Sequence, residues 1–399
     1  MRPRHAATPF ILLTVFLDAL AIGVVVPVLP KLIGTVTGDA ALTAWAFGAM
    51  QLGFALAQFF SAPILGALAD HHGRRPVLLM GMLSMGASFI AAALTDQYWV
   101  LLLFRTLSGA ACANIAVANA YVADITKPED MTRQFGLLSA MFGLGFIMGP
   151  ALGGLLGDHH LRWPFFLAGG LTLANFIYGW QILPESLPAD KRRPMRMVSP
   201  FAAMSHLRQL RGVAPLLWVL AAASLVQAAI ETYWMLYTEY RFSWTPGDNG
   251  RSLLALGVFA VISQAVLMRL VQRVLSAKAM VIWGQASFIV CLIAWGLATQ
   301  SWVMYAVSAG NVLGYLLYPS VQSLIAGKVE PGQHGQSMGA LSSIVSVTAV
   351  IGPVLAAPLM ALASSWPPSD WQVGLPFFVS AAVLCAAAAV SVPALLKAK

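Results

Sequence analysis

What most constrains this chain is a recurring apolar run long enough to cross a lipid bilayer. A helix needs about 20 mostly apolar residues to traverse a hydrocarbon layer of roughly 30 Å. Twelve such stretches lie near 9–30, 43–69, 76–95, 98–124, 133–156, 163–183, 213–239, 249–272, 278–298, 301–327, 334–361 and 372–395. Hydrophobic residues make up 59% of the chain and charged residues 10%, against about 25% charged in a water-soluble domain. With a mean hydropathy of +0.77, the chain lacks the polar surface that a soluble globule needs. The expectation is an all-α integral membrane protein. Cys112, Cys291 and Cys385 all sit inside apolar runs, so neither a disulfide framework nor a metal cluster is readable. The first span is too long for a cleavable signal peptide, contains Asp18, and is followed by no small-residue cleavage site.

Connections are short except for residues 184–212, where prolines and charges including Glu185, Asp190, Lys191, Arg192 and Arg193 form a hydrophilic linker. That linker divides the chain into a six-helix bundle over 1–183 and a second over 213–399. Within it, Phe201, Met204, Leu207 and Leu210 with Arg208 and Arg211 suit a helix lying on the membrane surface. With the N-terminus inside, eighteen lysines and arginines fall on one side, against Lys31, Arg162, Arg241 and Arg251 on the other. The positive-inside rule then places both termini in the cytoplasm. This asymmetry accounts for the net charge of +8 without any nucleic-acid partner. An internal repeat supports the division: Gly149-Pro150 in span five matches Gly352-Pro353 in span eleven. Two matching halves suit a transporter with its substrate site between them, near the midplane.

The loop after span two reads Gly66-Ala-Leu68-Ala-Asp70-His-His-Gly73-Arg74-Arg75. It is a tight turn in which Gly73 permits positive φ, Asp70 sits beside two guanidinium groups, and the arginines can anchor at lipid phosphates. Span four places Arg105 about 10 Å into the bilayer, which costs at least about 2.5–3.5 kcal/mol unless it faces protein or water. Snorkelling toward the outer surface is the alternative for that side chain. Span five carries Gly145, Gly149 and Gly153 at every fourth position, with Pro150 and Gly154 beside them. That spacing makes a side-chain-free stripe for helix contact, and the proline bends the helix.

These motifs resemble the major facilitator superfamily, whose fold is twelve transmembrane helices in two six-helix bundles. The resemblance implies that Asp70, Gly73, Arg74 and Arg75, with Asp124 closing span four, belong to a charge network gating the cytoplasmic side. It likens Arg105 to a fourth-helix arginine tied to proton transfer, and the Gly145–Gly154 pattern to a motif shared by exporters. Leu17-Asp18-Ala19 with Pro27-Val28-Leu29-Pro30, Gln58 with Ala62-Pro63, and Tyr121 with Asp124-Ile125-Thr126 narrow it to the tetracycline/proton antiporters. Similar too are Trp234 with Glu239, Arg241 and Trp244, Pro319 with Gln322, and Gly335-Gln336. Two acids of that family, on its third and ninth helices, are replaced here by Ile90 and by a residue at or near Phe288. In their stead the chain carries Glu231 in span seven. The resemblance therefore implies the scaffold and gating, with tetracycline itself in doubt.

Few ionisable groups lie inside the spans: Asp18, Arg105 and Glu231, with Asp124 at a helix end. A carboxylate stripped of water and counter-charge takes up a proton, so Asp18 and Glu231 are candidate proton carriers, with Arg105 adjusting their affinity. Asp18 lies roughly 15 Å from the inner end of its helix and Glu231 roughly 12 Å from the outer end of span seven. Gln51, Asn114, Phe142, Gln227, Trp234, Tyr237, Asn311, Tyr315 and Gln322 are expected to line a mixed amide and aromatic cavity suited to an amphipathic compound. The expected activity is proton-coupled efflux of a small organic compound or drug by a monomer in the cell membrane, partnered by substrate, protons and lipid. Proton-coupled uptake of a metabolite remains an alternative on the same fold, as does a membrane sensor or enzyme. No Walker loop is present, and no cofactor or metal is expected. In the pairs His71-His72 and His159-His160, adjacent side chains point apart on a helix, which argues against a metal site.

Overall fold

The computed structural model describes residues 7–112, 114–192, 194, 213–327 and 334–397. All twelve expected spans are helical, and no strand occurs among the described residues. The proposed surface helix at 201–211 lies outside the described residues, as does most of the linker. Gly335-Gln336 sits where side chains are not described.

Several spans are not simple rods. Span one is Ala7–Val25, a 3₁₀ turn at Val26–Val28, and Leu29–Thr37. The turn falls at Pro27, which lacks the N–H that a continuing helix would use. Span two runs Ala40–His72 and span three Arg74–Leu94, so Gly73 alone joins them, at φ 105°. Span eight changes from α-helix at Ile262 to a π-helical turn over Ser263–Leu267. Span ten breaks at Asn311, between Ser301–Gly310 and Val312–Ala326.

Packing separates the chain into two compact units. One comprises Met1–Thr37, Met50–Pro200 and Thr245–Leu254; the other comprises Gly38–Ala49, Phe201–Trp244 and Ala255–Lys399. Within the first, span one packs most extensively on span five, and span three on span six. Within the second, span seven packs most extensively on span eleven, and span nine on spans ten and twelve. The neighbours thus repeat with a six-span offset.

Glycine makes the closest approaches. In span five a methyl at Gly145, Gly149 or Gly153 would strike the span-one backbone at Phe16, Leu20 and Gly23, or Val24 respectively. At Gly149 the Leu20 carbonyl oxygen would lie 2.7 Å from that methyl. Gly154 faces the other way, onto Pro246, Gly247 and Gly250 at the start of span eight. In the second unit Gly352 plays the corresponding part, meeting Ala228 and Ala229 of span seven. Removing side chains from the contact line lets backbones touch, which is how membrane helices gain dispersion energy without a hydrophobic drive.

Candidate functional site: two buried charged residues and a charge cluster at the Gly73 loop

In the first unit, Asp18 on span one is 6% exposed, and its Oδ1 has no hydrogen-bond partner. Arg105 on span four is equally enclosed at 7%, so it does not snorkel. Its guanidinium lies 4.2 Å from the Phe54 ring centroid, and Nη2 donates to Gln51 Oε1 at 3.3 Å. Nε and Nη1 have no partner. Gly109, one turn along span four, makes this possible, because its Cα hydrogen meets the Phe54 backbone where a methyl would collide. Cys112, on the same span as Arg105, is buried, and Gln58 Nε2 donates toward its sulfur at 3.6 Å. Hydropathy reads a thiol as one more apolar residue, so nothing in the sequence sets Cys112 apart.

Asn114, two residues on, donates from Nδ2 to the Leu78 carbonyl at 3.2 Å and leaves its own Oδ1 unpaired. Phe142 is half-buried, stacked on Phe146 and packed against the apolar core of this unit. Position 90, where the resemblance expects an acid, is filled by an isoleucine packed on Gly169 of span six.

At one end of the same unit the loop at Gly73 organises a second constellation. Arg74 Nη1 pairs with Asp70 at 2.6 Å and Nε with Asp124 at 3.2 Å. Arg75 donates to the Trp180 carbonyl at 2.7 Å and lies over its ring. The residue that knits these together is Glu185. Its carboxylate accepts from the backbone N–H groups of Arg74, Arg75, Ser186 and Leu187, capping the start of span three where orphan donors collect. Ser186 Oγ donates to Asp124 at 3.1 Å, and Tyr121 OH to the Pro184 carbonyl at 2.8 Å. A side chain on Gly73 would land on Glu185, so the glycine serves both its φ and this approach. Glu185 lies more than a hundred residues from the loop it caps, beyond any local pattern.

In the second unit, Glu231 is exposed on span seven and accepts from Gln227 Nε2 at 3.2 Å, one turn back. The helix continues to Phe242, so Glu231 lies about eleven residues, roughly 16 Å, from that end, deeper than the sequence suggested. Asn311 is buried at the break in span ten and accepts from Ser287 Oγ at 2.9 Å. Tyr315, one turn on, is half-buried with an unpartnered hydroxyl, and Gln322 hydrogen-bonds Tyr318.

Two expected cavity residues are corrected. Trp234 and Tyr237 belong to a closed aromatic core with Tyr233, Trp295 and Phe377. Tyr237 is fully buried and donates to the Trp295 carbonyl at 3.0 Å, while Trp234 meets Trp295 edge-to-face at 4.9 Å. In a span that is apolar all round, hydropathy does not separate a residue facing its own bundle from one facing a cavity. Among the described residues no group of three His, Cys, Asp or Glu is placed to hold a metal.

The family model described as Major Facilitator Superfamily matches residues 11–276 and 241–399. This chain belongs to the major facilitator superfamily. It is a multi-pass membrane transporter and not an enzyme. The class C tetracycline resistance protein of Escherichia coli is 34% identical over 371 residues, covering 92% of this chain and 93% of that protein. The quinolone resistance protein NorA of Staphylococcus aureus is 25% identical over 86% of this chain and 87% of its own length. A crystal structure of the nucleoside transporter NupG shares the fold, with a TM-score of 0.76 at 13% identity, covering 98% of this chain and 100% of that one.

Proposed function

We propose that this member of the superfamily exports a small amphipathic organic compound, by alternating access, in exchange for protons. The observation that carries the reading is Asp18: a carboxyl group enclosed in a membrane span, with Oδ1 unpaired. A buried acid in this setting is costly when ionised, so it holds a proton until water reaches it from one side and then releases it. Arg105 sets the balance between the two forms, and Glu231 is the corresponding carrier of the second half.

The Asp70–Gly73–Arg74–Arg75–Asp124 cluster, closed by Glu185, acts as the cytoplasmic gate. Gln51, Asn114, Phe142, Gln227, Asn311, Tyr315 and Gln322 are the proposed cavity groups. The bundles are 1–183 and 213–399, the working unit is a monomer, and both termini face the cytoplasm of an inner-membrane protein. Efflux rather than uptake is favoured by the glycine stripe of span five and by relatives named for tetracycline and quinolone resistance.

The test is a growth-inhibition panel in a pump-deficient host expressing this chain, followed by uptake into everted vesicles of whichever compound it protects against. Accumulation should stop when the pH gradient is collapsed, and unchanged accumulation would refute proton coupling. Tetracycline is expected to remain toxic, because Ile90 and Phe288 stand where that family carries acids. Protection against it would overturn that exclusion.

A further inference from the structure

At the end of span five opposite the Asp70 loop, Asp158 reaches the first turn of span eight. Its Oδ1 accepts from the Gly247 backbone N–H at 2.8 Å, and its Oδ2 lies where a side chain on Gly247 would project. The rest of the contact is smooth. Gly154 lies against Gly250, each with a Cβ position 3.0 Å from the other's Cα, and Gly157 faces the Pro246 ring. Asp158 is exposed to solvent, whereas Gly154, Gly157, Pro246, Gly247 and Gly250 are buried. A carboxylate at the positive end of span eight is favoured by the orphan N–H groups there.

The repeat provides an internal comparison. Span two corresponds to span eight and span eleven to span five, and Gly48 of span two abuts Ala357 of span eleven in the same small-on-small manner. From Ala356 to Ala363 span eleven contains no charged residue. Span five thus places a carboxylate on its partner helix where span eleven, over 356–363, has none to offer.

Span eight passes from one compact unit to the other after Leu254. If the two halves rock, span eight must either bend beyond that point or lift its first turn from span five. Small residues meet across these faces, and the Asp158 hydrogen bond to the Gly247 N–H is a directional interaction resisting that lift. We infer that Asp158 is a latch, a positioning residue that holds the start of span eight on span five through the Gly247 N–H and lets go during the transport cycle. This rests on the alternating-access reading above, but its test needs no transported compound.

A chain with its three native cysteines replaced by alanine and carrying Pro246→Cys is reconstituted in lipid nanodiscs, and its rate of labelling by a polar maleimide is measured. Adding Asp158→Ala should raise that rate roughly tenfold, as expected for losing one hydrogen bond to a charged group. Gly247→Ala, which pushes a methyl against the carboxylate, should do the same. Asp158→Asn, which keeps an oxygen acceptor without the charge, should fall between Asp158→Ala and the parent. A Ser88→Cys reporter, buried elsewhere in the same unit, should keep its parental rate. Labelling of Pro246→Cys that ignores Asp158→Ala, or equal acceleration at both reporters, would overturn the latch. Failure to find any effluxed compound would leave this readout intact.

Discussion

Asp18 and Glu231 are both carboxylates near the middle of a membrane span, yet their surroundings differ. Asp18 is enclosed, with one oxygen unpaired, while Glu231 is exposed and shares a hydrogen bond with Gln227. In the proposed mechanism, proton carriage therefore falls chiefly on Asp18. Asp18→Asn is expected to abolish proton-driven efflux while leaving expression and thermal stability at parental levels, because the amide keeps the volume and cannot release a proton. Measuring transport and melting of the purified variant together checks both halves of that claim. Arg105 makes a different prediction. A lysine would keep the charge but lose the planar contact with Phe54 and the reach to Gln51. Arg105→Lys should lower stability by about 1–3 kcal/mol and cut efflux at least roughly tenfold; an unimpaired Arg105→Lys would show that charge alone suffices. Both residues were legible in the sequence because a charge in a span has few explanations. Cys112 was not legible, since a thiol inside an apolar run reads as one more hydrophobe.

Helices were the easiest elements to read and their contacts the hardest. A run of 20 apolar residues announces a span, but an average over such a window hides a one-residue break, so Asn311 in span ten and the π-helical turn at Ser263–Leu267 were not foreseen. The span-five stripe was foreseen, and it separates glycines that must stay from those that need not. Gly153→Ala would press a methyl into the Val24 carbonyl and should cost about 1–3 kcal/mol. Gly143→Ala, in the same helix with open space around it, should instead be neutral or stabilise by up to about 1 kcal/mol. Melting temperatures of the two purified variants make the comparison. Equal behaviour would mean the stripe does not set the distance between spans one and five. The Gly73 loop shows the same division of legibility. Its own residues stand together in sequence, while the capping carboxylate of Glu185 arrives from the far end of the bundle. Glu185→Gln should keep the span-three cap in part but weaken it, raising protease sensitivity around Gly73 while Glu185→Ala raises it further.

Across the whole molecule, the two halves visible in the sequence are not the same as the two packed units. Thr245–Leu254 belongs by packing to the first unit and Gly38–Ala49 to the second, so each half carries a short segment that packs with residues of the other. Hydropathy could not reveal this, because an apolar turn is equally content against lipid or against a neighbouring helix. The consequence is testable by cutting the chain within the linker. Expressed alone, residues 1–190 leave Gly154 and Gly157 without the turn that covers them and should accumulate poorly. Expressed together with residues 191–399, they should regain stability and efflux, since the helix starts at Ala40 and Pro246 can then reach their packing partners without any covalent link. Two halves that accumulate equally well apart and together would show that the exchanged segments contribute nothing to assembly, and that the linker is what keeps this transporter in one piece.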